Sequence, residues 1–289
     1  MTDYSALRAE WDDLLRRRVE LGSALALWTA ILDGWIGWRP DARQTCGLGA
    51  DARRARWERG IPLLAETGPD IPRDSIEDLL GASIERLAVV GPLEAEALER
   101  FAQAWDAGAI GPADLFPGTG KDGPTAVQER LGVEAHLLGF LAHAGLRPAL
   151  EAFFEDTREL PDGVWTSGAC PWCGGLAAFG DVVEDGRRRL SCHLCGGAWL
   201  APRLRCPFCE SWQSGDIVRL LGEGVEEGYF IEACRSCHGY LKGVDRRQRW
   251  NAGAALVEDW GSPHLDVYAT RSGYWRATPS LCHLLPREP

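Results

Sequence analysis

The sequence predicts an α+β protein: a mainly helical N-terminal domain over residues 1–165, then a small β-rich domain over 166–289 built around two four-cysteine metal sites. Three observations predict it. Helical periodicity fills the first half, and short strand-like runs between Gly, Pro and Asp turns fill the second. Eight of the ten cysteines fall into four Cys-x-x-Cys pairs, all beyond residue 165. Charge changes at the same place: residues 1–165 carry 17 Lys and Arg against 28 Asp and Glu, whereas 166–289 carry 14 against 14.

In the first half, Leu7, Trp11, Leu14, Leu15 and the apolar residues among 19–21 recur near the 3.6-residue period, as do Leu79, Leu80, Ile84, Leu87 and Ala88. Asp74 or Ser75 is placed to cap the second of these helices. Pro92, Glu94 and Glu96 suit the first turn of a further helix, which Gly108 stops. The run TAVQERLGVEAHLLGFLAHAGLRPALEAFFEDT reads as one long helix over 125–144, a break at 145–148 where Gly145 and Pro148 fall, and a short continuation. The loop GTGKDG lacks Walker spacing and a Ser or Thr after its Lys, so no phosphate site is read there.

In the second half, AAFGDVV, RRLSC, GAWLA, DIVRLLG and GYFIEAC have strand character. From Leu241 onward the chain packs back as a helix or hairpin (RRQRWNAGAALVEDW), and the tail after Asp266 gives no clear pattern.

Composition excludes several classes. At 289 residues and 45% hydrophobic content the chain has ample material for a core. Its longest apolar runs, 24–38 and 137–146, are broken by Asp33, His143 and neighbouring arginines, so no membrane span is predicted. The N-terminus mixes charges of both signs, and Arg16, Arg17 and Arg18 precede no export-type segment, which points to the cytoplasm. No nucleophile elbow or His-Glu-x-x-His occurs, and no dinucleotide fingerprint is read. His136 and His143 sit seven apart in an apolar stretch and read as core or interface residues.

Thiols in the cytoplasm stay reduced, so the cysteines call for an explanation other than disulfides. A Cys-x-x-Cys turn places two sulfurs on one side of a tight loop, and two such turns complete a tetrahedral site with metal–sulfur bonds of about 2.3 Å. The pairs Cys170/Cys173 and Cys192/Cys195 are separated by 18 residues, and Cys206/Cys209 and Cys234/Cys237 by 24. Each interval accommodates a hairpin that returns the second turn to the first, which gives two zinc-ribbon-like or rubredoxin-like modules. Gly174 and Gly196 follow the second cysteine of their turns, where the backbone is left-handed; Glu210 and His238 stand at the matching positions of the other two. Trp165, Trp172, Trp199, Phe208 and Trp212 lie beside the turns and are read as a small core. Cys46 and Cys282 are read as ordinary thiols.

Cys-x-x-Cys-His at Cys234–His238 also matches a c-type haem attachment sequence. Haem is attached outside the cytoplasm, and using Cys234 and Cys237 for it strands Cys206 and Cys209; no haem is predicted. Spacing does not separate zinc from iron, since tetrathiolate sites suit both. Four thiolates on a divalent ion carry a net charge of about −2, which makes the nominally neutral second half negative and disfavours a nucleic-acid partner.

The succession CPWCGG, RLSCHLCGGAW, RLRCPFCE and EACRSCHGYLK, behind a helical half containing FLAHAGLRPAL, resembles the formate dehydrogenase accessory protein FdhE family. The resemblance is close in the metal half and looser before it, and this sequence departs from the family at Glu210 and His238, where glycine is usual. It implies a cytoplasmic, non-enzymatic maturation factor that binds the catalytic subunit of respiratory formate dehydrogenase. It also implies rubredoxin-like metal sites at the eight paired cysteines, with iron favoured and zinc the alternative. Two readings from other classes remain beside it. A nucleic-acid-binding zinc ribbon requires salt-dependent DNA or RNA binding, and a rubredoxin-like electron carrier requires reversible metal reduction during turnover.

Overall fold

The computed structural model describes residues 2–39, 44–65, 68–90, 95–117, 123–220 and 225–284. Helix α1 (Tyr4–Arg17) starts where Asp3 accepts the N–H groups of Ser5 and Ala6, and it buries Leu7, Trp11 and Leu14. The pattern through residues 19–21 forms a separate 3-10 turn (Val19–Leu21) instead of extending the helix. Then follow α2 (Ala26–Gly37), α3 (Ala50–Glu58), α4 (Asp74–Val90), α5 (Ala95–Asp106), α6 (Pro124–Leu131) and α7 (Ala135–Phe153). Helix α4 begins at Asp74 itself, so Asp74 and Ser75 lie inside its first turn, where Ser75 Oγ donates to Pro72 O. Gly108, left-handed, ends α5 as read from the sequence. Pro92, Glu94 and most of GTGKDG lie outside the described residues.

The long helix breaks in a different place from the one the sequence suggests. Gly132, at φ +60°, ends α6, whereas α7 runs unbroken through Gly145 and Pro148. Gly145 is there for closeness: a Cβ on it would lie 2.9 Å from Leu80 Cδ2 on α4. Proline at 148 deprives the Ala144 carbonyl of its helical donor, and the Trp35 indole N–H supplies one at 2.8 Å. Tertiary packing thus satisfies what local sequence breaks.

Seven strands among the described residues form one sheet, in the order β3–β2–β1–β6–β5–β4, with β7 beside the start of β6. They are β1 (Ala177–Val182), β2 (Arg188–Cys192), β3 (Ala198–Ala201), β4 (Ile217–Leu220), β5 (Tyr229–Cys234), β6 (Gly239–Asp245) and β7 (Trp275–Arg276). Strands β1–β3 form one antiparallel meander and β4–β6 another. The parallel pairing of β1 with β6 (Phe179 opposite Lys242) joins the two meanders. Strand β6 is buried at all seven positions, so the alternation that marks a strand in sequence is missing. The run after it gives helix α8 (Ala255–Trp260), followed by α9 (Pro263–Arg271), β7 and α10 (Leu281–Leu284).

A tryptophan cluster ties the two ends of the chain together. Trp28 of α2 stacks on Trp260 of α8 with centroids 4.3 Å apart, and Trp11 and Trp35 approach Trp260 at 6.1 and 5.7 Å. One continuous core runs from these residues to Trp165, Trp172, Trp199 and the cysteines at 170, 173, 192 and 195. Phe208 is half-buried. Trp212, which the sequence assigned to the core, is 61% exposed, with the Arg205 guanidinium over its ring. No helix among the described residues is long and apolar enough to cross a membrane.

Candidate metal centres

The Cys-x-x-Cys turns are closed by their own backbone, the one at Cys192 by its N–H to Gly197 O at 2.8 Å and the other three from the residue after the second cysteine. Gly174 N–H bonds to Cys170 O, Glu210 N–H to Cys206 O and His238 N–H to Cys234 O, at 2.8 to 3.0 Å. These closures place the residue after the second cysteine in left-handed space: Gly174 at φ +76°, Gly196 at +64°, and both Glu210 and His238 at +58°. The two non-glycine positions therefore take the glycine conformation. Glu210 is anchored by Ser167 Oγ (2.9 Å) and Arg205 Nη2 (2.6 Å), and His238 lies beside the Tyr274 ring.

The hairpins pair the turns in sequence order. Strands β1 and β2 return Cys192 opposite Ala177, bringing Cys173 Sγ to 3.4 Å from Cys192 Sγ and Cys170 Sγ to 3.5 Å from Cys195 Sγ. Strands β4 and β5 set Cys234 opposite Ile217, and there the Cys206–Cys237 and Cys209–Cys234 sulfur separations are both 3.7 Å. Within each group the sulfurs all lie within 4.8 Å of one another. Thiolates around one tetrahedral ion with 2.3 Å bonds stand about 3.8 Å apart, so both groups fit a single zinc- or iron-sized ion. None of the cysteines forms a disulfide. Backbone N–H groups of Gly175, Leu194, Phe208 and Gly239 point at Cys173, Cys192, Cys206 and Cys237 sulfurs at 3.3 to 3.4 Å, as suits thiolate ligands. Cys46 is buried and Cys282 half-buried, and neither joins a cluster among the described residues.

The surroundings of the two clusters differ. The first is sealed, each of its cysteines being at most 2% exposed. The helical half provides the seal: Trp57 Nε1 and Leu63 N–H both take Pro171 O, and Leu64 N–H takes Trp172 O. Arg158 donates to Cys195 Sγ at 3.6 Å and to Cys195 O at 2.8 Å while lying over the Trp172 ring. On the other side, Arg147 and Glu151 form a buried pair at 2.8 Å that Tyr4 OH completes, and a Cβ on Gly196 would collide with both. His143 packs against Trp35, and its Nδ1 donates to His193 O. Burial, then the charge of Arg147, hold His143 well below its ordinary value, so it is neutral.

Without metal, burial pushes the Cys170 and Cys173 thiols well up. Cys192 falls well below its usual range: burial opposes ionisation, but hydrogen bonds from Cys170, Cys173 and Cys195 outweigh it. The second cluster is open. Cys206 and Cys234 are buried, Cys237 is half-buried with its thiol raised to about 11 by burial, and Cys209 is exposed.

A buried ionic cluster behind the sheet escaped the sequence reading. Tyr240 and Lys242 point from the same face of β6 to Asp266, at 2.7 Å each, and Lys242 also meets Asp259 Oδ1 at 3.2 Å. Arg276 of β7 binds Asp259 through both carboxylate oxygens at 2.7 Å and Asp266 at 2.6 Å. Tyr240 and Lys242 belong to the Tyr-Leu-Lys that ends the fourth turn, which is the signal that marked them. Arg147 and Glu151, four apart on apolar α7, carried a similar signal.

No protein-family model matches the chain. It is 32% identical over 136 residues to an FdhE homolog of Stutzerimonas stutzeri, across 46% of this chain and 42% of that protein. It is 27% identical over 148 residues to an FdhE homolog of Aquifex aeolicus, across 50% and 51%. The chain thus spans about half or less of the length of these curated relatives. The crystal structure of the FdhE protein from Pseudomonas aeruginosa superposes with a TM-score of 0.58 at 25% identity, covering 98% of this chain and 95% of that one. In sequence over about half of the chain, and in fold over nearly all of it, this protein is similar to proteins of the FdhE family.

Proposed function

We propose that this protein is a cytoplasmic, non-catalytic maturation factor that binds the catalytic subunit of a formate dehydrogenase and supports its assembly. In this reading Cys170, Cys173, Cys192 and Cys195 hold one metal ion and Cys206, Cys209, Cys234 and Cys237 a second, iron being favoured and zinc the alternative. The observation that carries it is the pair of four-sulfur clusters with tetrahedral spacing in a chain whose relatives bear the FdhE name. The metals fix the sheet that presents the client surface, because small thiolate–metal modules lose their fold without the ion. The acidic residues 1–165 supply a field that steers a basic patch of the client.

The test is co-purification of the formate dehydrogenase catalytic subunit with the metal-loaded chain. Loss of the client with the Cys170→Ser, Cys173→Ser double variant is expected; client binding that persists in the double variant after a chelator has stripped the second cluster as well would falsify the docking account. Reproducible absence of the client, with normal enzyme maturation in a deletion strain, sinks the function itself. Exposure of Cys209 favours a second reading, a rubredoxin-like electron carrier. Voltammetry of the iron form, with zinc substitution during client activation, separates the two.

A further inference from the structure

We propose that the two clusters differ in kind: Cys206, Cys209, Cys234 and Cys237 form an exchange site that opens at Cys209 to incoming soft ligands, whereas Cys170, Cys173, Cys192 and Cys195 form a permanently closed one. The inference rests on the reading that each cluster holds a metal ion.

Three features separate the clusters. The first concerns access: the Cys209 sulfur-bearing side chain is exposed and Cys237 half-buried, while the four cysteines of the other cluster are at most 2% exposed. Cys192 does border a 480 Å³ cavity between the helices and the sheet, but it is itself only 2% exposed there.

The second concerns what the metal holds together. The cysteines at 170, 173, 192 and 195 belong to the continuous hydrophobic core, and backbone hydrogen bonds from Trp57, Leu63 and Leu64 clamp their first turn. Opening that cluster means lifting the helical half off it. None of the four cysteines of the other cluster is a member of that core. The turn that carries Cys209 keeps its shape through its own bonds, Glu210 N–H to Cys206 O and Cys206 N–H to Ser211 O, both at 3.0 Å. Cys209 can leave a metal without disturbing either.

The third is charge. The closed cluster has a half-buried guanidinium, Arg158, donating directly to Cys195 Sγ, which stabilises the thiolate in place. Around the open cluster, Arg205 is turned away to Glu210, Thr166 O and the Trp212 ring. Cys209 is held by the Ser211 backbone N–H but, among the described residues, by no guanidinium donor of the kind that Arg158 gives Cys195.

The chemistry is ligand substitution with no change of oxidation state. An incoming thiolate or nitrogen chelator forms a bond to the metal as the metal–Cys209 bond breaks, and Cys209 departs as a thiolate that water protonates. A thiol-alkylating reagent captures the same event: the Cys209 sulfur displaces iodide from iodoacetamide, and the resulting thioether is too weak a donor to keep the ion.

The experiment uses the full chain loaded with two zinc ions, iodoacetamide, and a chromogenic zinc chelator. One equivalent of zinc leaves in a first phase together with carbamidomethylation of Cys209. The second equivalent leaves at least about tenfold more slowly, or only in denaturant, and near-UV circular dichroism is retained through the first phase. Cys209→Ser is expected to hold one zinc and keep the fold. Release of both ions in a single phase, or first alkylation at any cysteine from 170 to 195 through the cavity, overturns the inference alone. A chain that takes up no metal at either cluster overturns the proposed function and the inference with it.

Discussion

The indole N–H of Trp35 donates to the carbonyl of Ala144, the acceptor that Pro148 leaves unpaired within α7. Helix α2 thereby completes the hydrogen bonding of α7 across the core. Trp35→Phe removes the donor and leaves a buried carbonyl unsatisfied, at a cost of about 1–3 kcal/mol beyond the lost packing. Pro148→Ala restores an amide N–H to the same carbonyl. A double-mutant cycle by urea unfolding is expected to show a smaller penalty for Trp35→Phe in the Pro148→Ala background; equal penalties in both backgrounds would refute the relationship.

Arg158 is expected to govern how tightly the first cluster keeps its ion. Arg158→Gln removes the guanidinium donor to Cys195 Sγ. Partners of this kind, bonded to a ligand and not to the metal, typically contribute about ten- to hundredfold in metal affinity. Competition with a chelator of known affinity measures the loss, and an unchanged affinity would show that the sealed packing alone retains the ion.

Metal uptake by the first cluster should be strongly pH-dependent. In the metal-free protein burial keeps Cys170 and Cys173 protonated through neutrality, so the ion must displace their protons. Affinity then rises with pH by about tenfold per unit for each proton displaced. Zinc titrations between pH 6 and 8, run in buffers of differing ionisation enthalpy, report the proton count directly; a count of zero contradicts the assigned protonation.

Asp266 links stability to acid. It is buried between Arg276 and Lys242, and although burial opposes its ionisation, the two cations hold its carboxyl below the ordinary range. A depressed carboxylate stabilises the fold fully above its unfolded-state value of about 3.9, and that contribution is lost as pH falls through the lower folded-state value. Asp266→Asn is expected to cost about 3–5 kcal/mol at neutral pH, because it leaves buried cations short of a partner. The penalty should shrink below pH ~4. A pH-independent penalty would assign the effect to packing.

The turn residues allow a paired comparison. Gly196→Ala places a Cβ 2.6 Å from Arg147 Nη2, and closer still to Glu151 Oε1, at a left-handed φ. His238→Gly relieves a left-handed non-glycine backbone and removes only a ring contact with Tyr274. Thermal unfolding is expected to rank Gly196→Ala as destabilising by more than about 1 kcal/mol and His238→Gly as within about 1 kcal/mol of the parent. The reverse order would mean that His238 carries a contact the backbone does not reveal.

The grouping of the eight paired cysteines was the most legible part of the molecule, because the geometry of a Cys-x-x-Cys turn is contained in four residues. Strands β1, β4 and β5 were legible for a related reason: their β-branched and aromatic residues sit between turn residues. Strand β6 was not, since both its faces are covered and its one Lys is buried in an ionic cluster whose partners lie 17 to 34 residues further on. Pro148 misled because a proline advertises a broken helix locally, while its remedy, Trp35, lies 113 residues earlier in the chain. Trp212 misled in the opposite sense: proximity to the turns suggested burial, but its ring rests on Arg205 at the surface. Least visible was the contrast between the clusters, because nothing in their spacing says that the helical half covers one of them.

The stacking of Trp260 on Trp28 has a kinetic consequence. The contact spans more than 200 residues, and the pairing of β1 with β6 spans more than 60. Contacts of such high sequence separation slow folding, because loop-closure entropy is lost before they form. During synthesis the turns at 170–195 emerge and gather their sulfurs before either contact exists. The first cluster is thus available to nucleate the sheet before the Trp28–Trp260 stack ties α2 to α8.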